Sequence, residues 1–170
     1  MSRHGRPLSK LPVDQQRESK ESYNLLYTLH STQVVDRIGI GLIATETMKD
    51  ETLSRIQYWI RKGQTTIPRQ EPDSVRKFSP IMHELTLAAN GIVMKQDRMV
   101  LPTSLQGKSI KLAHRGSHPG RSGIERRLRY HFFFHDMFDK VKDFVESCET
   151  CSIFIDKKTK EPIRPHEVPK

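Results

Sequence analysis

Two short sequences that are separated by 29 residues decide the fold of this chain. Residues 114–118 read His-Arg-Gly-Ser-His, and residues 148–151 read Cys-Glu-Thr-Cys. Two imidazoles four positions apart and two thiols three positions apart make a complete set of four ligands for a tetrahedral zinc ion. The chain has only two cysteines, and both lie in the second sequence. The sequence therefore predicts one zinc site, formed by His114, His118, Cys148 and Cys151.

The spacing of the four ligands fits a helical fold. Thr103 or Ser104 can cap a first helix that ends near His114, Ser122 can begin a second, and Asp136 can begin a third that reaches Cys148. A helix of about ten residues extends roughly 15 Å, so one helix leading away and one returning bring the cysteines back to the histidines. The fold class that we predict is mainly α, a zinc-stabilised three-helix bundle preceded by a short β-hairpin and a helical N-terminal extension.

Four protein ligands leave no open position on zinc, which predicts a structural metal and not a catalytic one. A segment of about 50 residues is small enough to need such a cross-link, and structural zinc supplies on the order of 10–16 kcal/mol of apparent binding free energy. The alternative is two core thiols beside unrelated surface histidines. His131 and His135 also lie four apart, but their position beside the Phe132–Phe134 run favours turn or surface residues.

The rest of the chain has weaker signals. Residues 22–44 allow one or two short extended pieces. A helix is predicted from about 48 to 62, with Thr47 as its cap. Another helix is predicted from about 73 to 88, despite Pro80. Residues 92–95 and 98–101 predict a β-hairpin. The predicted organisation is a polar linker or extension at 1–45, a helical extension plus β-hairpin at 46–102, a zinc-binding domain at 103–156 and a linker at 157–170.

The net charge of +9 favours a polyanionic partner such as nucleic acid. Residues 95–170 carry 16 basic and 10 acidic side chains, so the zinc-ligand part is the more basic. The predicted phosphate contacts are four arginines of the second helix, Arg121, Arg126, Arg127 and Arg129. The alternative is a solvated basic helix face. Neither a signal peptide nor a membrane span is evident, so we expect an intracellular location, which could be nuclear.

These motifs together resemble a known family. The order His-x3-His, helix, aromatic run and valine-bearing helix into Cys-x2-Cys resembles the N-terminal zinc-binding domain of integrases from retroviruses and gypsy-type LTR retrotransposons. Residues 90–120, NGIVMKQDRMVLPTSLQGKSIKLAHRGSHPG, resemble the family's hairpin and first helix, and residues 132–151, FFFHDMFDKVKDFVESCETC, resemble its last helix. The resemblance implies binding to DNA at retroelement ends and pairing with other integrase subunits as a homo-oligomer.

Integrase chemistry in this family needs a ribonuclease-H-like core with three metal-binding carboxylates. Only 19 residues follow Cys151, and their acids, Asp156, Glu161 and Glu167, lack a strand framework. We therefore expect no enzymatic activity, but a zinc-binding module that is a fragment or truncated product of a retroelement polyprotein. One alternative is a host-adopted protein-interaction adaptor that keeps the zinc fold. Another is a thiol oxidoreductase using the two cysteines, which is disfavoured because nothing upstream resembles a redox fold.

Overall fold

The computed structural model describes Leu29 and residues 32–155, with only the backbone for residues 154 and 155. Within these ranges the chain is mostly helical with a small sheet, as the sequence predicts. None of the helices in the described ranges is both long and apolar enough to cross a bilayer. Of the predicted linkers, residues 1–28, 30 and 31 of the first and all of 157–170 lie outside the described residues.

The helices form two groups along the chain. The first group comprises a helix whose described part is residues 32–38 (α1), then Ile40–Lys49 (α2), Glu51–Arg61 (α3), the short Asp73–Arg76 (α4) and a 3-10 helix at Ser79–Glu84. The second group belongs to residues 101–155, which we call the zinc-ligand segment: Thr103–His114 (α5), Arg121–Arg129 (α6), Met137–Glu146 (α7) and Glu149–Ile155 (α8).

A four-stranded sheet joins the two groups. Its strands are Leu85–Leu87 (β1), Val93–Lys95 (β2), Arg98–Val100 (β3) and Phe132–Phe133 (β4), in the order β1-β2-β3-β4. The first three strands are antiparallel, and β2 and β3 confirm the predicted hairpin. β4 pairs with β3 in parallel, and the Met99 backbone N–H donates to the His131 carbonyl at 2.8 Å. The aromatic run therefore attaches the zinc-ligand segment to the hairpin.

The apolar side chains form two cores. One contains Leu53 and Ile56 of α3 together with buried residues of α4 and of strands β1 to β3. The other combines α1 and α2 with the zinc-ligand segment, because Val34, Ile38 and Ile43 pack in one cluster with buried residues of α5, α6 and α7. The N-terminal helices thus complete the core beneath the zinc ligands.

Two acidic side chains tie the N-terminal helices to the start of α5. The Asp50 carboxylate accepts the backbone N–H of Leu53 at 3.0 Å, which caps α3, and its other oxygen accepts the backbone N–H of Thr103 at 3.0 Å. Glu46 accepts the Ser104 hydroxyl at 2.8 Å. One carboxylate therefore accepts hydrogen bonds from the first turns of both α3 and α5, although Asp50 and Thr103 are 53 residues apart.

The N-terminal predictions are wrong in two details. The extended pieces predicted within residues 22–44 are helical over their described part. Thr47 does not cap a helix, because it is fully buried within α2 and its hydroxyl donates to the Ile43 carbonyl. The real cap is Asp50, and α3 begins at Glu51.

The helix predicted from about 73 to 88 is also wrong. α4 ends at Arg76, a 3-10 helix contains Pro80, and residues 85–87 form β1. Four apolar residues of this stretch, Val75, Phe78, Met82 and Leu85, are nevertheless all buried, as the inner face of a helix would be. Pro80 cannot donate a backbone hydrogen bond, and the strand bonds to β2 replace the helical hydrogen bonds beyond it.

Candidate metal centre

The two histidines are brought together by the end of α5 and the turn that follows it. His114 is the last residue of α5 and is buried. The chain reverses through Gly116 at φ 93 and His118 at φ 43, left-handed conformations that favour glycine and that histidine adopts more readily than most residues. The His118 ring returns to lie 4.6 Å from the His114 ring, measured between centroids. The turn therefore serves to place the second imidazole beside the first.

The two cysteines approach from the junction between α7 and α8. Cys148 lies between the two helices, and Cys151 is buried in the first turn of α8. The His114 Nε2 lies 3.2 Å from the Cys148 Sγ and 3.4 Å from the Cys151 Sγ. The His118 Nδ1 lies 3.0 Å from the His114 Nε2, and 3.7 and 4.0 Å from the sulfurs of Cys148 and Cys151. All four ligand atoms lie within 4.8 Å of one another.

These distances fit a tetrahedral zinc ion. Bond lengths of about 2.0–2.1 Å to nitrogen and 2.3 Å to sulfur require edges of about 3.3 to 3.8 Å between the ligand atoms. The five individual distances span 3.0 to 4.0 Å and so lie on both sides of that range. The four predicted ligands therefore form a potential site for a single zinc ion, and four protein ligands complete its coordination.

A carbonyl oxygen behind the centre orients one of the ligands. The Nδ1 of His114 lies 3.2 Å from the carbonyl oxygen of Pro119. A proton on Nδ1 can donate to this oxygen, which leaves the Nε2 lone pair facing the centre. The two histidines thus use different nitrogens, Nε2 for His114 and Nδ1 for His118.

The surroundings of the ligands favour the protonation states that bind metal at His114 and Cys148. Burial lowers the pKa of His114, which favours the neutral imidazole. The backbone N–H of Cys151 donates to the Cys148 sulfur and lowers the pKa of that thiol, because Cys148 precedes the first turn of α8. Burial raises the pKa of Cys151, so its proton would leave on binding the metal.

Arg127 holds the end of α5 and the metal-site turn together. Its guanidinium donates to the Ala113 carbonyl at 2.8 Å and to the Ser117 hydroxyl at 3.1 Å. Ala113 is in the last turn of α5, where carbonyl groups lack a partner within the helix. Arg127 therefore donates to a carbonyl directly before His114 and also holds Ser117, the residue directly before His118.

The other three predicted phosphate contacts lie on the outside of α6. Arg121, Arg126 and Arg129 are exposed, and the Arg121 guanidinium lies over the ring of Phe138 at 4.4 Å. Arg127 differs from them, since it is half-buried and two of its nitrogens bind the protein. The helix therefore presents three of the four arginines to solvent and turns the fourth toward the metal site.

His131 and His135 do not join the metal centre. In the described part of the chain, the histidines and cysteines that cluster are the four predicted ligands. His131 has its Nε2 3.5 Å from the Thr32 hydroxyl. His135 lies edge-on between the rings of Phe78 and Phe133, at centroid distances of 4.5 and 5.3 Å. Both are half-buried side chains that pack against other parts of the fold.

Three features that support the centre were not predicted from the sequence. α8, which carries Cys151, was not predicted, although Glu149 directly after Cys148 is an N-terminal helix signal. The Pro119 carbonyl has no side-chain signal at all, since any residue supplies one. The role of Arg127 likewise depends on a contact across 14 residues of the chain.

Comparison with known proteins agrees with this geometry. Residues 101–154 match the family model of the integrase zinc-binding domain. The matched residues include both histidines and both cysteines of the centre. No curated protein and no solved structure gave a significant match to the chain. Residues 101–154, less than half of the chain, are therefore similar to the integrase zinc-binding domain.

Proposed function

We propose that this chain acts as a non-catalytic integrase-type zinc-binding module of a retrotransposon polyprotein. In this role it binds DNA and other integrase subunits through a bundle of α5, α6 and α7 that zinc holds together. The observation that carries the proposal is the four-ligand cluster within residues 101–154, the same residues that match the family. A DNA-binding role also agrees with a nuclear location.

The metal has a structural role in this proposal. The ligands come from the end of α5, the following turn, and the junction of α7 with α8, so the ion links all of these elements. Because four protein ligands fill a tetrahedral site, no position remains for a reacting water. Removing the metal would leave two thiols and two imidazoles converging without a bond between them.

DNA binding is supported by the charge on the outside of α6. Arg121, Arg126 and Arg129 are exposed along one helix of nine residues. Contacts of guanidinium groups with phosphate supply affinity that does not depend on base sequence and that falls steeply with salt. The module would thus contribute affinity for DNA, and little sequence preference.

Subunit pairing is supported by exposed apolar side chains on the zinc-ligand segment. Tyr130, Phe138 and Ile153 are 52%, 47% and 60% exposed. Aromatic and large aliphatic residues are the side chains that contribute most at the centre of protein interfaces. We propose that these residues contact another integrase subunit.

Metal analysis and DNA titration test the proposal. The purified chain should hold one zinc ion, and its affinity for duplex DNA should fall steeply as salt increases. Arg129→Gln should weaken DNA binding, whereas Arg61→Gln, an equal charge change at an exposed residue of α3, should leave it close to the original value. A chain that binds zinc but not DNA would support the protein-interaction adaptor instead. A chain without zinc would contradict both.

A further inference from the structure

A basic cavity lies between α1 and the turn that follows α5, away from the outer face of α6. Its volume is about 370 Å³. Three arginines from three different elements line it: Arg37 of α1, Arg115 after α5 and Arg127 of α6. The remaining lining residues are Gln33, Val34, Leu112, Ala113, Gly116 and Ser117. None of these lining residues, in the part of the chain that the structure describes, is a carboxylate.

The positions of the arginines differ in a way that suits a binding site. Arg127 is half-buried and fixed by its bonds to Ala113 and Ser117, so its charge is a permanent part of the wall. Arg37 and Arg115 are exposed and lie where a ligand can reach them. The wall is therefore preorganised, while two guanidinium groups remain accessible at the opening.

Three positively charged residues around one cavity repel one another, and a concave surface concentrates their field. An anion placed among them removes this repulsion. Guanidinium groups match the oxygen geometry of phosphate and can bind it with two parallel hydrogen bonds. The lining also contains a hydroxyl and a carboxamide that can contact phosphate oxygens, at Ser117 and Gln33.

We propose that this cavity is a phosphate-binding site and that its ligand is a backbone phosphate of DNA. The identity of the ligand rests on the proposed function, whereas the phosphate chemistry rests on the cavity itself. The volume exceeds that of one phosphate group, and the partly exposed apolar side chain of Leu112 can contact the adjoining sugar. The site joins an N-terminal helix to the zinc-ligand turn, so both parts contribute to one contact.

A salt titration of DNA binding with the zinc-loaded full chain tests this proposal. Arg37 is the residue to change, because it is exposed and far in sequence from the metal ligands. Arg37→Gln should reduce the slope of log affinity against log salt by about 1, the value expected for one lost phosphate contact. Arg37→Lys should retain most of the slope.

The matched control is Arg61→Gln, because Arg61 is an exposed helical arginine outside the cavity. This substitution should not change the slope. Zinc content and helicity are measured for each variant.

Inorganic phosphate provides a second and independent measurement. At constant ionic strength, phosphate in place of chloride should raise the melting temperature of the original chain and of Arg61→Gln more than that of Arg37→Gln. DNA binding that is unchanged by Arg37→Gln would overturn the cavity proposal while leaving the proposed function intact. Failure of the original chain to bind DNA, together with an Arg37-dependent response to phosphate, would support the cavity and overturn DNA as its ligand. Absence of both responses would overturn both.

Discussion

The Nδ1 of His114 lies 3.2 Å from the carbonyl oxygen of Pro119, which is the residue directly after the second histidine ligand. A hydrogen bond between His114 and Pro119 thus closes the loop that connects the two histidine ligands. A backbone acceptor of this kind fixes the orientation and the tautomer of a metal-binding imidazole. The turn at residues 115–119 and the metal centre are therefore one structural unit, and changes in either should affect the other.

Loss of one histidine ligand should remove the metal. Loss of a group that only hydrogen-bonds to a metal ligand lowers metal affinity by roughly 10–100-fold. We expect His118→Ala, which removes a ligand itself, to lower zinc affinity by more than this and also to lower helicity. Competition with a chromogenic chelator and far-ultraviolet circular dichroism measure the two effects. His131→Ala is the matched control, because His131 lies outside the centre. Full zinc affinity and helicity in His118→Ala would contradict the four-ligand site.

Gly123 should be intolerant of a methyl group for a reason that involves this turn. A Cβ at Gly123 would lie 2.9 Å from the Cβ of Pro119, closer than carbon atoms approach in proteins. Gly123→Ala should therefore displace Pro119 and its bond to His114, at a cost of about 1–3 kcal/mol in the free energy of unfolding. Urea unfolding of the zinc-loaded chain measures this cost.

Gly107 provides a matched control within the same segment. Gly107 lies in α5 and is exposed. A Cβ added there would meet no heavy atom of the described residues within 4 Å, apart from its chain neighbours and the nearby backbone of its own helix. Gly107→Ala should raise the free energy of unfolding by about 0.5–1 kcal/mol, since alanine is the better helix former. A Gly123→Ala variant that is as stable as Gly107→Ala would show that Pro119 is free to move.

Arg127 should contribute to stability more than its neighbours on α6. Arg127→Gln removes charge-assisted bonds to Ala113 and Ser117, and such bonds typically contribute about 1.5–3 kcal/mol. Arg129→Gln changes an exposed residue of the same helix and should stay within about 0.5 kcal/mol of the original stability. Thermal and urea unfolding measure both. Equal effects of the two substitutions would contradict a structural role for Arg127.

The metal ligands were predictable from sequence because their chemistry is local. His114 with His118, and Cys148 with Cys151, are close in the chain, and the ligand types themselves identify the ion. The predicted end of the first helix near His114 and the predicted start of the second at Ser122 lie close to the observed end of α5 and start of α6. The hairpin at β2 and β3 was predictable for the same reason, since its partners are adjacent.

Features that depend on distant contacts were not predictable. β4 is a strand only because residues 131–133 bond to β3, about 30 residues earlier, and two phenylalanines alone resemble core residues of any kind. Thr47 satisfies the sequence rule for a helix cap, but burial within α2 supplies an intrahelical acceptor instead. The packing of α1 and α2 on the zinc-ligand segment likewise depends on a surface that local sequence does not reveal.

His135 should make the stability of the chain depend on pH near neutrality. Burial lowers the pKa of His135 below 6.5, and its Nε2 is buried without a hydrogen-bond partner among the described residues. Asp136 opposes this shift, whereas Lys77, Lys95 and Lys140 add to it. In the unfolded chain the pKa is about 6.5, so between the two pKa values only the unfolded state binds the proton. Stability is therefore complete above pH 6.5 and falls as the pH decreases toward the pKa of the folded state.

His135→Phe isolates this contribution, because a phenyl ring can keep the edge-on contacts with Phe78 and Phe133 but cannot bind a proton. We expect the free energy of unfolding to fall less between pH 7.5 and 5.5 in His135→Phe than in the original chain. The two losses should differ by at most about 1.4 kcal/mol for each unit by which the pKa of His135 differs between the folded and unfolded states. Acid also weakens the metal centre, but it does so in both proteins, so the difference between them belongs to His135. His83→Phe, which replaces a histidine whose side chain is 67% exposed, should follow the original chain. An identical loss in all three proteins would show that the buried ring of His135 does not titrate differently on folding.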